Sequence, residues 1–177
     1  WSIAFNGQIH QKNIGQICCF IGHLRALRDA VKWGFSGSRN LNGGVVILED
    51  DILINIDAND DIDIPNDADI FYLGGWVVPQ KGIKYYTPLQ GVNKIDSKLI
   101  KYFTTVGYWI REPQLVLTLM KKYRPKNIDC FYISYLQKKN HFNCYFHHPR
   151  LVEVNPNMPS IINPDNKFYN KIINSSH

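Results

Sequence analysis

Four consecutive aliphatic residues, Val45-Val46-Ile47-Leu48, run straight into three carboxylates, Glu49-Asp50-Asp51. An apolar run this short, following a Gly/Ser/Asn-rich segment, predicts a fully buried strand of a parallel sheet. The carboxylates then fall at its carboxyl end, where open α/β sheets hold their ligands. In extended chain Glu49 and Asp51 point to the same side. Three adjacent carboxylates beside low-dielectric core repel one another, and a divalent cation relieves that repulsion. Oxygen ligands of this kind suit Mg²⁺ or Mn²⁺, which would bridge to a substrate phosphate. A solvated acidic turn is the plainer alternative.

The rest of the chain alternates helix and strand. Residues 13–33 read as a helix that Asn13 caps, with Gln16 three residues on and Gly34 as the stop. Ile14, Ile17, Cys18, Ile21, Leu24, Leu27 and Val31 recur at helical spacing and predict its buried face. Residues 34–44 read as loop, and the acidic, Asn-rich stretch to Asp69 as irregular. Ile70–Leu73 is a second strand, stopped by Gly74-Gly75. Residues 76–100 read as loop with room for one short strand, and 104–110 as a third strand. Pro113 opens a helix that closes with Lys121, Lys122 and Arg124 at its negative end, a solvated terminus. Ile128–Lys139 reads as a further helix, Cys144–Val154 as the last strand, and 160–177 as a loose tail. This order predicts a single α/β domain over 1–177, with helices on the faces of its sheet.

Composition bounds the function. At 177 residues, 45% hydrophobic and 20% charged, the chain has the make-up of a soluble globular domain. It lacks an eighteen-residue apolar stretch and a basic, apolar leader at Trp1-Ser2-Ile3-Ala4, so a cytoplasmic protein is expected. Because the first residue is Trp rather than Met, further residues upstream are expected as well. Residues 1–90 carry seven Lys/Arg against ten Asp/Glu, and residues 91–177 carry thirteen against five. An acidic half for a cation and a basic half for an anion suit a phosphorylated ligand. The basic residues, Lys94, Lys98, Lys101 and Lys121 among them, are scattered and form no nucleic-acid motif, so no nucleic-acid partner is expected. Cys18, Cys19, Cys130 and Cys144 lack zinc spacing. Cys18 and Cys144 are expected to be buried thiols in a reducing compartment.

Gly15-Gln16-Ile17-Cys18-Cys19-Phe20-Ile21-Gly22-His23-Leu24-Arg25-Ala26, followed by Val46-Ile47-Leu48-Glu49-Asp50-Asp51, resembles the family 25 glycosyltransferases. These include bacterial lipooligosaccharide galactosyltransferases and collagen hydroxylysine galactosyltransferases. Ile70–Gly75, Thr104–Ile110, Asn127-Ile128-Asp129 and Pro149–Val152 match further elements in the same order, so the likeness spans residues 14 to about 160. It implies a Rossmann-like glycosyltransferase-A domain with a mixed sheet flanked by helices. The family opens with a strand and helix that contact the nucleotide base. The likeness thus implies that this first βα unit is lacking here or reduced to residues 1–12. The family also has Ser at the position of Gly22.

The likeness further implies a metal-dependent transfer of a hexose, galactose or glucose, from a UDP-sugar to a glycan or glycosylated polypeptide, with inversion. Glu49 and Asp51 would fill the Asp-x-Asp roles, with Asp51 on Mn²⁺ (or Mg²⁺) and the diphosphate, and Glu49 on metal, ribose or sugar. Asp50 belongs to the same donor-binding triplet. Asp129 is the candidate base, with a helix-capping role as the alternative. His23 is a candidate donor contact or a satisfied core histidine. His147 and His148 face opposite ways in the last strand. His148 would complete the metal shell unless both are structural. Gly74 and Gly75 would let a sugar approach the backbone or simply form a turn. Trp76, Tyr108 and Trp109 are sugar-stacking candidates or core aromatics. Two rival activities remain open, a catalytically inactive nucleotide-sugar- or glycan-binding domain and a metal-dependent phosphohydrolase.

Overall fold

The computed structural model describes residues 14–33, 43–55, 61–123, 128–139 and 141–157. The proposed cap Asn13, the stop Gly34, segment 1–12 and the tail 160–177 lie outside them. Among the described residues seven strands and three helical segments make a mixed α/β structure. In chain order they are α1 (Ile14–Lys32), β1 (Val45–Leu48), β2 (Ile52–Ile54), β3 (Ile70–Pro79), β4 (Gly91–Lys94), β5 (Ile100–Ile110) and α2 (Pro113–Lys122). There follow α3 (Ile128–Cys130), which continues as a π-helix over Phe131–Lys139, then β6 (Cys144–His148) and β7 (Val152–Val154). Among the described residues no helix is long and apolar enough to cross a membrane.

The main sheet has the order β1-β5-β3-β6-β4, and β2 and β7 form a separate pair. Only β3 and β6 run parallel; the other neighbours in the main sheet are antiparallel. Period-two alternation along β3 divides the core. Ile70 and Tyr72 join Phe20, Leu27, Tyr108, Met120, Phe131 and Leu136 beneath the helices. Phe71 and Leu73 pack instead with Trp109, Leu151 and Val152, and with Ile52, Ile62 and Ile64. The described helices therefore cover one face, and β2, β7 and the 61–69 segment cover the other. The expectation of helices on both faces is corrected accordingly.

Several boundaries differ from the sequence reading, each for a local reason. Among the described residues β1 is an antiparallel edge strand, paired Val45↔Ile110 to Leu48↔Gly107, with Val46 and Leu48 exposed. An apolar run of four does not encode how many neighbours it has. β3 does not stop at Gly74-Gly75. It bulges there, Gly75 taking φ +147°, and resumes pairing at Trp76↔Phe103 through Pro79↔Ile100. Glycine at a bulge bends a strand without ending it. Within 76–100 the chain forms β4, and β5 starts at Ile100 rather than 104. The 144–154 run splits at Pro149, which lacks the N–H a continuing ladder needs. Leu151 then bonds back to the Leu73 carbonyl (2.8 Å) and β7 joins β2. The acidic stretch expected to be irregular contributes β2.

The buried face of α1 is also rotated. Phe20, His23, Leu27 and Ala30 are buried, with Cys19, Leu24 and Val31 packed at the margin, whereas Ile14 and Cys18 are exposed. Cys144 is buried as expected, and Cys18 is not. The face includes His23 because Tyr108 satisfies its ring.

Candidate metal and donor site

Cys19 and His23 lie one turn apart on α1 and so project from the same face. That face meets the carboxyl end of β1. There the Glu49 N–H donates to the Val106 carbonyl (3.0 Å), extending the β1–β5 ladder by one residue. Alternation turns Glu49 to the same side as buried Ile47, toward the helices. Its Oε1 accepts a hydrogen bond from Thr105 Oγ1 at 2.9 Å and lies 3.3 Å from His23 Nε2. The other ring nitrogen, His23 Nδ1, is 2.6 Å from the Tyr108 hydroxyl, and the two rings stack with centroids 5.6 Å apart. Cys19 Sγ, a His23 nitrogen and a Glu49 oxygen all lie within 4.8 Å of one another.

The ionisable groups around this contact act on one another. Burial by itself would raise the Glu49 carboxyl, but the hydrogen bond and charge of His23, helped by Thr105, outweigh it and hold Glu49 below its ordinary value. Burial and the charges of Glu49 and Asp50 raise Asp51 against an opposing backbone hydrogen bond. Burial first, then Glu49, Asp129 and Asp51, push the Cys19 thiol up to about 12. The charges of Glu49, Asp51 and Asp129 thus all act on the Cys19 thiol, which is an arrangement a cation stabilises.

The structure therefore brings Glu49 and His23 into contact, and the charges of Asp51 and Asp129 reach Cys19 beside them. Asp129 sits half-buried in the first turn of α3, and its charge is felt at Cys19. Asp51 is anchored through its carbonyl, which accepts from Asn155 N at 2.7 Å just beyond β7. Asp50 is exposed. Of these groups Glu49 belongs to the Cys19–His23–Glu49 set that could hold a metal ion, and Asp51 does not.

Other candidates lie elsewhere. His148 is on β6, separated from β1 by β5 and β3, or about 14 Å at one strand spacing each. Its neighbour His147 donates from Nδ1 to the Pro149 carbonyl (2.7 Å). Gly74 and Gly75 are taken up by internal packing. A Cβ at Gly74 would collide with the Val152 carbonyl, and one at Gly75 with the Phe103 carbonyl. The ring of Trp76 is covered by the Arg150 guanidinium (5.7 Å), and buried Trp109 by Arg111 (5.1 Å). Tyr108 is buried against His23 and is no sugar platform. Sequence reasoning missed Cys19, Thr105 and the role of Tyr108. The four-residue Cys19–His23 spacing was the available signal for the first, and nothing local marks the other two. Comparison with protein-family models, with curated proteins and with solved structures finds no match.

Proposed function

We propose that the chain is a metal-dependent glycosyltransferase of the glycosyltransferase-A type. It would move a hexose, galactose or glucose, from a UDP-sugar to a glycan or glycosylated polypeptide with inversion. One observation carries the reading: Glu49 at the acidic end of β1 contacts His23 of α1, and the charge of Asp129 on α3 reaches Cys19 on the same helix face. The ordered family-like motifs of the sequence support it independently.

In this reading Asp51 and Glu49 hold the cation and orient the donor diphosphate. Bound there, Mn²⁺ or Mg²⁺ supplies Lewis-acid stabilisation of the leaving group. The acceptor oxygen attacks the anomeric carbon, and the bond from that carbon to the UDP β-phosphate oxygen breaks with its electron pair. The Asp129 carboxylate takes the acceptor hydroxyl proton. His23 fixes Glu49 through the 3.3 Å contact while Tyr108 fixes the His23 ring.

A thermal-shift series with nucleoside diphosphates, with and without Mn²⁺, tests this on wild type and Asp51→Ala. A ligand at 100 times its Kd stabilises by about 2.7 kcal/mol. UDP should stabilise wild type only with Mn²⁺ and should not stabilise Asp51→Ala. Labelled UDP-galactose or UDP-glucose then separates a transferase from an inactive binding domain. The reading fails if no nucleoside diphosphate stabilises the chain, or if simple phosphate esters are hydrolysed in preference to sugar transfer.

A further inference from the structure

We propose that Cys19, His23 and Glu49 form a three-ligand site for a borderline divalent cation, of which Zn²⁺ is the natural occupant and Co²⁺ the probe. Among the described residues this is the one cluster of three such donors. The set is one thiolate, one imidazole and one carboxylate, the donors that select Zn²⁺ or Co²⁺ over Mg²⁺ and Mn²⁺. Three protein ligands with a fourth position open is the usual layout of a catalytic rather than a purely structural zinc site.

The geometry is close to that of a loaded site. Two ligand atoms each ~2.1 Å from a tetrahedral ion lie about 3.4 Å apart, and His23 Nε2 lies 3.3 Å from Glu49 Oε1. The second shell is built as well. Tyr108 engages Nδ1, leaving Nε2 to face the carboxylate, and its hydroxyl can donate to or accept from either tautomer. Thr105 Oγ1 orients Glu49 from β5. Cys19 and His23 come from one rigid helix face, so only Glu49 has to be brought from another element. Cys18, the preceding residue, is exposed on the other side and takes no part.

Glu49 is common to this set and to the Mn²⁺ or Mg²⁺ pair proposed above, so the two ions would share one carboxylate; binding of Zn²⁺ or Co²⁺ by Cys19, His23 and Glu49 does not rest on that function.

The full chain, freed of metal by chelation, is titrated with Co²⁺ and followed by absorption. One equivalent should produce a thiolate-to-cobalt charge-transfer band in the near ultraviolet, and Zn²⁺ should abolish it stoichiometrically. Cys19→Ser should remove the band and weaken Zn²⁺ binding by more than about 100-fold, beyond the 10–100-fold typical of outer-shell changes. Cys18→Ser should leave both untouched. Thermal melts of each variant confirm that the fold survives. A wild type without the band, or a Cys19→Ser protein that keeps it, overturns the proposal. Asp51→Asn is expected to retain the cobalt band while losing the UDP response. A wild type that gives the band yet never responds to UDP would sink the donor reading and leave the ion site standing.

Discussion

Replacing Tyr108 with Phe removes one oxygen from a buried ring and tests what organises the site. Tyr108 is fully buried and His23 is 6% exposed, with 2.6 Å between hydroxyl and Nδ1. The variant keeps the apolar area and the stacked rings but leaves Nδ1 without its partner. A buried polar group left unsatisfied costs about 1–3 kcal/mol. For a chain of this length each kcal/mol is worth roughly 2–4 °C in Tm, so a fall of about 2–12 °C is expected. Urea denaturation should show a lower midpoint at unchanged slope, because no additional surface is exposed on unfolding. Co²⁺ affinity should fall by about 10–100-fold, as the ring loses its orientation. Tyr72→Phe is the matched control. Tyr72 pairs directly with Tyr108 across β3 and β5, and its hydroxyl accepts from buried Gln137 Nε2 at 2.8 Å. It should lose stability of the same order and keep its Co²⁺ affinity. If the two variants lose Co²⁺ affinity equally, or if Tyr108→Phe stays within about 0.5 kcal/mol of wild type, the claim that Tyr108 orients His23 is wrong.

The acidic groups should give opposite pH signatures. Glu49 is held below its ordinary value, so its contribution is present above the unfolded carboxyl pKa of about 4.3 and lost as pH falls through the folded value. Urea midpoints of Glu49→Gln should lie below wild type at pH 7 and converge with it in acid. Asp51 is raised, so its ionisation disfavours the folded chain at neutral pH. Asp51→Asn should stabilise the metal-free protein at pH 7, with the gain vanishing toward pH 3. Gly74→Ala should cost about 1–3 kcal/mol or more, because the added methyl meets the Val152 carbonyl and the Val106 side chain. Gly22→Ala, on the exposed side of α1 with open space around the new Cβ, should instead gain about 0.5–1 kcal/mol in the same denaturation assay. Iodoacetamide at pH 8, read by mass spectrometry, should label exposed Cys18 and Cys130 and spare Cys19 and Cys144. With its thiol near 12, Cys19 is thiolate in only about one molecule in 10⁴ at that pH. Preferential labelling of Cys19 would contradict the anionic surroundings assigned to it.

The parts of the fold visible in the sequence were those that local chemistry decides. The periodicity of residues 14–32, Pro113 at the head of α2 and the apolar runs at 45–48 and 70–73 each mark an element found in the structure. Sheet order and neighbour count are long-range properties, and they were not legible. Val45–Leu48 has the composition of a central strand yet forms an edge among the described residues, where β5 supplies its one partner in the main sheet. Gly74-Gly75 has the composition of a turn yet forms a bulge, because the Val152 carbonyl and the Val106 side chain fill the space a side chain at 74 would have taken, and Tyr102 and Phe103 fill that at 75.

The same distinction governs the site, with one instructive exception. Glu49 and Asp51 announced themselves because three carboxylates after an apolar run are locally expensive. Thr105 and Tyr108 did not, since in a strand they look like any other β-forming residues and acquire meaning only when β5 is laid beside β1. His23 falls between. The apolar periodicity assigns the α1 face to Ile14, Ile17, Cys18, Ile21, Leu24, Leu27 and Val31, with His23 open as a donor contact or a satisfied core histidine. The actual face, Phe20-His23-Leu27-Ala30, has the same spacing with a polar member. A helix that buries an imidazole while exposing Ile14 and Cys18 gives up apolar burial. That sacrifice is intelligible when Tyr108 and Glu49 engage both ring nitrogens at 2.6 and 3.3 Å. The point where apolar patterning misplaces the helix is thus the point where the chain carries its densest chemistry, as expected when local rules yield at a functional site.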